Sequence, residues 1–372
     1  MTIKIKAVEN RKNLKKFIQL PGKIHRNHDK WVPPLYREEW KYFNPNKNRA
    51  FAYSSTLLTL AYRGNEVVGR IMGIINHRYN HCHSEKNARF GYLECPNDQN
   101  IIHSLLTSVE HWAKQEGMHK IVGPMGFSDQ DPEGFLIEGF NYEPTLATYY
   151  NFEYIIPLIE AENYSKEVDY VVYKVDIPHE NPEFYNKIVA RIHRKKIYSL
   201  LEFKKKKELK NYIKPILTLM NDCFEEVYGY LPLEEEEMIK LAKQYMVILD
   251  PHFIKVIRKN ESLAAFIIAV PNMIPGIRKS GGRLFPFGIL KILRAAKKTN
   301  QLDLMLAGIK KEDRGKGLDV ILGDAIFNEA RKADIEFIDS HHELEFNTKV
   351  RAEMERLGGK VIKRFRIYQK QL

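Results

Sequence analysis

The chain has 372 residues, 44% apolar and 11% aromatic, with a formal charge of +12 and three cysteines. This length exceeds one compact core and suits two, and no run approaches the ~20 apolar residues of a membrane span. Residues 1–17 lack the apolar stretch of a secretory signal, and Cys82, Cys95 and Cys223 lie too far apart for a disulfide scaffold or a zinc site, so a cytoplasmic protein without a metal is expected.

Residues 15–43 read as helical, with a break at Trp31-Val-Pro-Pro34. Leu57-Leu-Thr-Leu-Ala-Tyr62 alternates as a strand, Arg63-Gly-Asn-Glu66 signals a turn, and residues 67–75 return. Residues 90–94 form a third strand. Leu105, Leu106, Val109, Trp112 and Ala113 recur at helical spacing within 101–116, which stops at Gly117. Residues 120–123 form the next strand.

The same order returns after a seam at Pro178-His-Glu-Asn-Pro182. Residues 212–227 and 234–247 read as helices. Residues 253–258 and 263–270 form a hairpin around Lys259-Asn-Glu-Ser262. A strand at 303–308, a helix at 319–332, a strand at 335–339, a helix at 348–357 closed by Gly358-Gly359, and a strand at 360–368 follow. The pattern predicts an α/β (α+β) protein of two tandem units, 1–180 and 181–372, with mostly antiparallel mixed sheets flanked by helices.

The most informative stretch runs from Leu306 through Asp313-Arg-Gly-Lys-Gly-Leu318 into a helix. Gly315 and Gly317 let backbone N–H groups approach an anion, Arg314 and Lys316 add charge, and Leu318 opens a helix whose N-terminus is partly positive. A pyrophosphate suits such a loop. In this order of elements it resembles the acyl-CoA-binding motif of the GNAT superfamily, R/Q-x-x-G-x-G/A. Arg314 and Gly317 match; Asp319 stands where Gly or Ala is usual. The resemblance implies acetyl-CoA or a longer acyl-CoA as co-substrate and backbone donors for the thioester oxygen near Ala307 to Ile309. It also implies that Asn347 bonds the pantetheine arm. Met354 occupies the position where many members carry a Tyr that protonates the leaving thiolate.

In the first unit the equivalent loop, Cys95-Pro-Asn-Asp-Gln-Asn100, has neither glycine nor arginine, so no CoA site is expected there. The whole chain is similar to two-module bacterial GNAT-like proteins through Gly123-Pro124, residues 134–140, residues 148–154 and residues 363–368. Some of those are associated with N-acylation of long-chain bases.

Such chemistry needs a base for the acceptor ammonium. His341, Glu343 and Glu345 lie at the end of the second splayed strand, and alternation should turn only one of His341 and His342 inward. Asp129, Asp131, Glu138 and Phe140, in an acidic and aromatic segment with Glu133, suit a cationic acceptor with an apolar tail. Residues 283–298 read as a basic amphipathic segment, with Ile292, Leu293 and Ala296 on one face, fit for peripheral contact with the inner membrane face. The function this predicts is acyl-CoA-dependent N-acylation of a primary amine, a lipid amine among the candidates. A CoA-binding protein without catalysis and an aminoacyl-tRNA-dependent transferase are the alternatives. The basic run at 204–207 lacks stacking aromatics, so no specific nucleic acid is expected.

Overall fold

The computed structural model describes residues 2–146 and 148–372. The first half runs β1 (Ile3–Ala7), α1 (Arg11–Gln19), α2 (Pro21–Ile24), α3 (Tyr36–Tyr42), β2 (Ser54–Arg63), β3 (Glu66–Asn76), α4 (His77–His83), β4 (Asn87–Glu94), α5 (Gln99–Gln115), β5 (Lys120–Gly123), β6 (Phe135–Glu138), α6 (Ile155–Glu160) and β7 (Ser165–Asp176). The second runs α7 (Glu183–Lys195), β8 (Tyr198–Glu202), α8 (Lys206–Leu209), α9 (Ile213–Phe224), α10 (Glu235–Tyr245), β9 (Ile254–Lys259), β10 (Ser262–Pro271), α11 (Ile274–Ser280) and α12 (Gly288–Ala296). It ends with β11 (Gln301–Ile309), α13 (Leu318–Lys332), β12 (Phe337–Asp339), β13 (Glu343–Leu344), α14 (Thr348–Arg356) and β14 (Lys360–Gln371).

Period-two patterning makes β2 and β3 a hairpin, turned at Gly64. α5 buries Ile101, Leu105, Leu106, Val109 and Ala113 on one face. It can lie close to β3 because Gly73 has no side chain: a Cβ there would stand 2.8 Å from Val109 and Trp112. In the second half, α13 buries Leu318, Ile321, Leu322 and Ile326 in a core shared with β10, β11 and Tyr185 of α7.

The two halves do not keep separate sheets. One sheet runs β1-β2-β3-β4-β5-β14-β7-β12-β11-β10-β9-β8, with β6 and β13 branching from β14 and β7. The last strand of the chain, β14, lies between β5 and β7, and β7 in turn carries β12. Each half therefore supplies a strand beside the other's. Among the described residues only β4–β5 and β11–β12 pair in parallel. The centre of the sheet is consequently fixed by pairings between residues far apart in sequence, a costly closure that the buried ladder Val171, Val172, Tyr173, Phe365 and Ile367 offsets.

Candidate active site

β11 and β12 pair at three positions only, Gln301–Phe337, Leu302–Ile338 and Asp303–Asp339. Beyond Asp303, β11 continues beside β10 to Ile309, while the other arm leaves at Asp339. The sheet opens there as a fork. Just past its vertex β11 bulges: Ala269 faces Leu304 and Ile268 faces Leu306, which leaves Met305 as the extra residue. A bulge turns peptide groups out of the regular ladder. The candidate oxyanion donors thus centre on Met305. Ala307 and Ile309, expected in that role, sit in regular register with Ile267 and Ala265.

The loop after β11 carries the glycines. Gly315 has φ +74°, with no atom within 4 Å of where a Cβ would stand, so its backbone is open to a ligand. Gly317 has φ +87° and is the N-cap of α13, and no side chain caps that helix. A Cβ at Gly317 would meet Ile188 at 2.6 Å, so glycine is needed there for packing as well. Asp313 anchors the loop from below. It accepts bonds from Tyr198 (2.7 Å), Lys259 (2.9 Å) and Lys316 (2.7 Å). Burial would raise its pKa, but these donors hold it down to about 2. Arg314 donates to the carbonyls of Ile309 and Cys223 at 3.2 Å and pairs with Glu226. An open Gly315, an uncapped helix and two cations fit a pyrophosphate.

Asp319 is the second residue of α13 and does not cap it. It faces Glu353 of α14, whose pKa burial raises first and Asp319 raises further. Asn347 caps α14, its Oδ1 accepting from Val350 N–H at 3.5 Å. Met354 packs half-buried against the core of the second half and offers no proton.

Past Asp339 the chain turns through His341 at φ +59°. That left-handed residue ends the strand alternation, and both imidazoles enter one cluster with ring centres 5.0 Å apart. The expectation that only one would turn inward is corrected on this point. His341 Nε2 meets the Leu146 carbonyl at 3.1 Å. His342 stacks on Tyr170 (5.1 Å) and Phe365 (4.4 Å). Burial lowers the pKa of both, which favours the neutral imidazole. Glu343 follows in β13, opposite Val171. Burial alone raises its pKa to about 8. Glu345 is held in an ion pair with Lys166.

At the vertex, Lys363 of β14 donates to Asp339 at 2.7 Å, with both side chains buried. Asp303 lies beside them, its Oδ2 without a hydrogen-bond partner among the described residues. Burial and then Asp339 raise its pKa. The sequence had no signal for this triad, because it joins three strands.

Among the expected acceptor residues, Asp129 and Asp131 come together and Glu133 joins them. Asp131 accepts from Tyr42 and from Phe127 N–H, each at 2.7 Å. Burial raises Asp129 to about 7 and Glu133 well above the carboxylate range. Tyr170 stands beside Glu133 and stacks on His342, so it links this acidic cluster to the histidines. Among the described residues Asp129 Oδ1, Glu133 Oε2, the Tyr170 hydroxyl and His342 Nε2 are buried without a well-formed hydrogen bond, although Tyr170 lies close enough to Glu133 to influence it. Such atoms are costly unless a ligand or water meets them. Glu138 stands apart, exposed and 3.5 Å from Arg364. Phe140 packs near Tyr150, which donates to its carbonyl.

The first half has the same fork. β4 and β5 pair only over Asn87–Lys120, Ala88–Ile121 and Arg89–Val122. β4 is irregular between Gly91 and Glu94, where Tyr92 takes φ +54°. Here the fork is filled. Met125 N–H binds the Phe90 carbonyl at 2.8 Å, and Tyr92 N–H binds the Tyr149 hydroxyl at 3.2 Å. Asp98 caps α5 through Asn100 and Ile101 N–H and pairs with Arg63. A carboxylate thus closes the N-terminus of α5. Among the described residues no group of three His, Cys, Asp or Glu could hold a metal ion, and no helix is long and apolar enough to cross a membrane.

No family model matches the chain. It is 27% identical to a bacterial ceramide synthase of Caulobacter vibrioides over 371 residues, covering 96% of this chain and 95% of that protein. It is 24% identical to Protein YghO of Escherichia coli over 379 residues, covering 99% and 95%. A tandem GNAT protein from the clavulanic acid biosynthesis pathway superposes with a TM-score of 0.55, at 11% identity, over all of this chain and 98% of its own. The fold is the tandem GNAT fold.

Proposed function

We propose that the chain is an acyl-CoA-dependent N-acyltransferase with one donor site, in its second half. Residues 1–180 form the half without a CoA site and 181–372 the half with it. One observation carries the reading: an open glycine loop leads into an uncapped helix at the mouth of a bulged fork. Gly315, Lys316, Gly317 and Leu318 would hold the pyrophosphate with Arg314, and Asn347 the pantetheine arm. The tandem GNAT fold supports acyl transfer in general, and the ceramide synthase relative supports a long-chain amine as acceptor.

In this reading the ammonium of the acceptor is received by Asp129 and Glu133, beside Tyr170, and its charge draws these raised carboxyls into their ionised form. Glu343, with a pKa of about 8, takes the amine proton. The amine nitrogen attacks the thioester carbonyl carbon. The C–N bond forms, the C–S bond breaks, the nitrogen gives its second proton to solvent, and solvent protonates the departing thiolate, since Met354 cannot. Backbone N–H groups at the Met305 bulge stabilise the oxyanion. The protein works on the cytoplasmic side of a membrane.

The test is thiol release from acetyl-CoA and palmitoyl-CoA, with small amines and a long-chain base as acceptors and mass spectrometry of the product. Amine-dependent release with an N-acyl product is expected. Met354 in place of a hydroxyl favours a second reading, a CoA-binding protein without catalysis. Tight CoA binding with no thiol release for any amine would select it.

A further inference from the structure

α11 and α12 form a helical hairpin inserted between β10 and β11. The two helices touch closely at Gly276, where a Cβ would stand 2.5 Å from Ile292 Cα. Ile274, Ile277 and Ile292 face inward, into the apolar cluster that also contains Met305 and Leu306 of the bulged strand. Ile292 and Leu293, expected on one face, are in fact divided: Ile292 is buried and Leu293 points out.

The outer face has no cover within the described residues. Phe285, Phe287, Leu290 and Leu293 are 67%, 66%, 61% and 46% exposed. Four large apolar side chains within nine residues of chain form a patch, not scattered exposure. Charge surrounds it. Between Glu261 and Asp303 the sequence has seven lysines and arginines and no acidic residue. Arg37 of α3 adds another cation, 5.7 Å over the Phe285 ring. Arg278 alone of these is neutralised from outside, by Glu143 at 2.9 Å. A second copy of the chain on a two-fold axis would bring a second set of cations onto the first. An anionic surface with an apolar interior meets both properties of the patch.

We propose that the α11–α12 hairpin docks the protein on an anionic lipid bilayer. Phe285, Phe287, Leu290 and Leu293 enter the boundary between headgroups and acyl chains, and Lys291, Arg294 and Lys297 contact lipid phosphates. α12 leads directly into β11, so docking brings the fork to the bilayer, where a lipid amine would be drawn from. The inference goes beyond the acyltransferase reading and does not need it, because vesicle binding is read without acyl-CoA.

The test is flotation of the full chain with vesicles of neutral phosphatidylcholine alone or with about 30% phosphatidylglycerol. Flotation should need the anionic lipid and fall as salt rises. Phe285→Ser/Phe287→Ser and Lys291→Glu/Arg294→Glu should each lower partitioning at least about tenfold. Both pairs are solvent-exposed, so melting temperature and acyl-CoA binding should be retained. No preference for anionic vesicles, or flotation unchanged in both variants, would overturn the proposal. So would a dimer in light scattering that the phenylalanine variant dissociates while the wild type ignores vesicles. Retention by an acidic protein without vesicle binding would overturn it too. Loss of acyl-CoA binding by the wild type with flotation intact would sink the acyltransferase reading alone.

Discussion

In the first fork of the sheet the Tyr149 hydroxyl meets the N–H of Tyr92, and the Asp98 carboxylate closes the helix that follows. In the second, the helix begins at Gly317 with no side-chain cap, below a loop opened by Gly315. The strand geometry is otherwise shared: three parallel pairs, then divergence, then an irregular residue near the vertex. The fork is therefore a property of the fold, and its use is decided by what lies in it. A few side chains fill one copy and leave the other open.

The contrast can be broken most sharply at the loop. Arg314→Glu/Gly315→Asp places two negative charges where a pyrophosphate is expected, and Asp tolerates the left-handed backbone of Gly315. Acyl-CoA affinity should fall about a thousandfold by calorimetry, from several lost charge-assisted bonds. The melting temperature should change little.

The next largest effect is on chemistry alone. Glu343→Gln should lower kcat about a hundredfold and leave the acyl-CoA Kd in place. Burial raises the Glu343 carboxyl to about 8, so it is protonated below that pH and can accept a proton above it. The wild-type rate should rise with pH through about 8 and then level, and the variant should lose this limb. A pH profile of the pair checks the sign.

Two changes in the first half sharpen the comparison by affecting only stability. Tyr149→Phe leaves the buried N–H of Tyr92 without its partner and should cost about 2 kcal/mol in urea denaturation. Asp98→Ala removes the cap of α5 and its pair with Arg63 and should cost about 1 kcal/mol. Neither should change acyl-CoA binding. If Tyr149→Phe created a second binding event, the first fork would be a blocked site and not a filled core.

Much of this was legible in the sequence, for local reasons. The β2–β3 and β9–β10 hairpins alternate, α5 and α13 carry helical periodicity, and the Gly315–Gly317 loop is contiguous. The exchange of β7 and β14 was not, because their pairing joins residues about two hundred positions apart and no local pattern encodes a partner. β7 also reads poorly as a half-buried strand, since Val168 to Tyr173 are buried on both faces. The Met305 bulge is a difference of register between two strands, invisible in either alone. His341 breaks the alternation by its positive φ, a conformation uncommon outside glycine that no local pattern foretells. The line from Glu133 through Tyr170 to His342 draws on three separate segments. Composition pointed to Asp129 and Asp131 but added Glu138, which the β6–β14 pairing places beside Arg364 instead.

The central claim is that one chain has one donor site. Calorimetric titration of the intact protein with palmitoyl-CoA, giving both affinity and stoichiometry, tests it most directly. The account predicts one molecule bound per chain, abolished by Arg314→Glu/Gly315→Asp and unaffected by Asp98→Ala. Two molecules per chain, or binding that survives the loop variant and fails with Asp98→Ala, would contradict it.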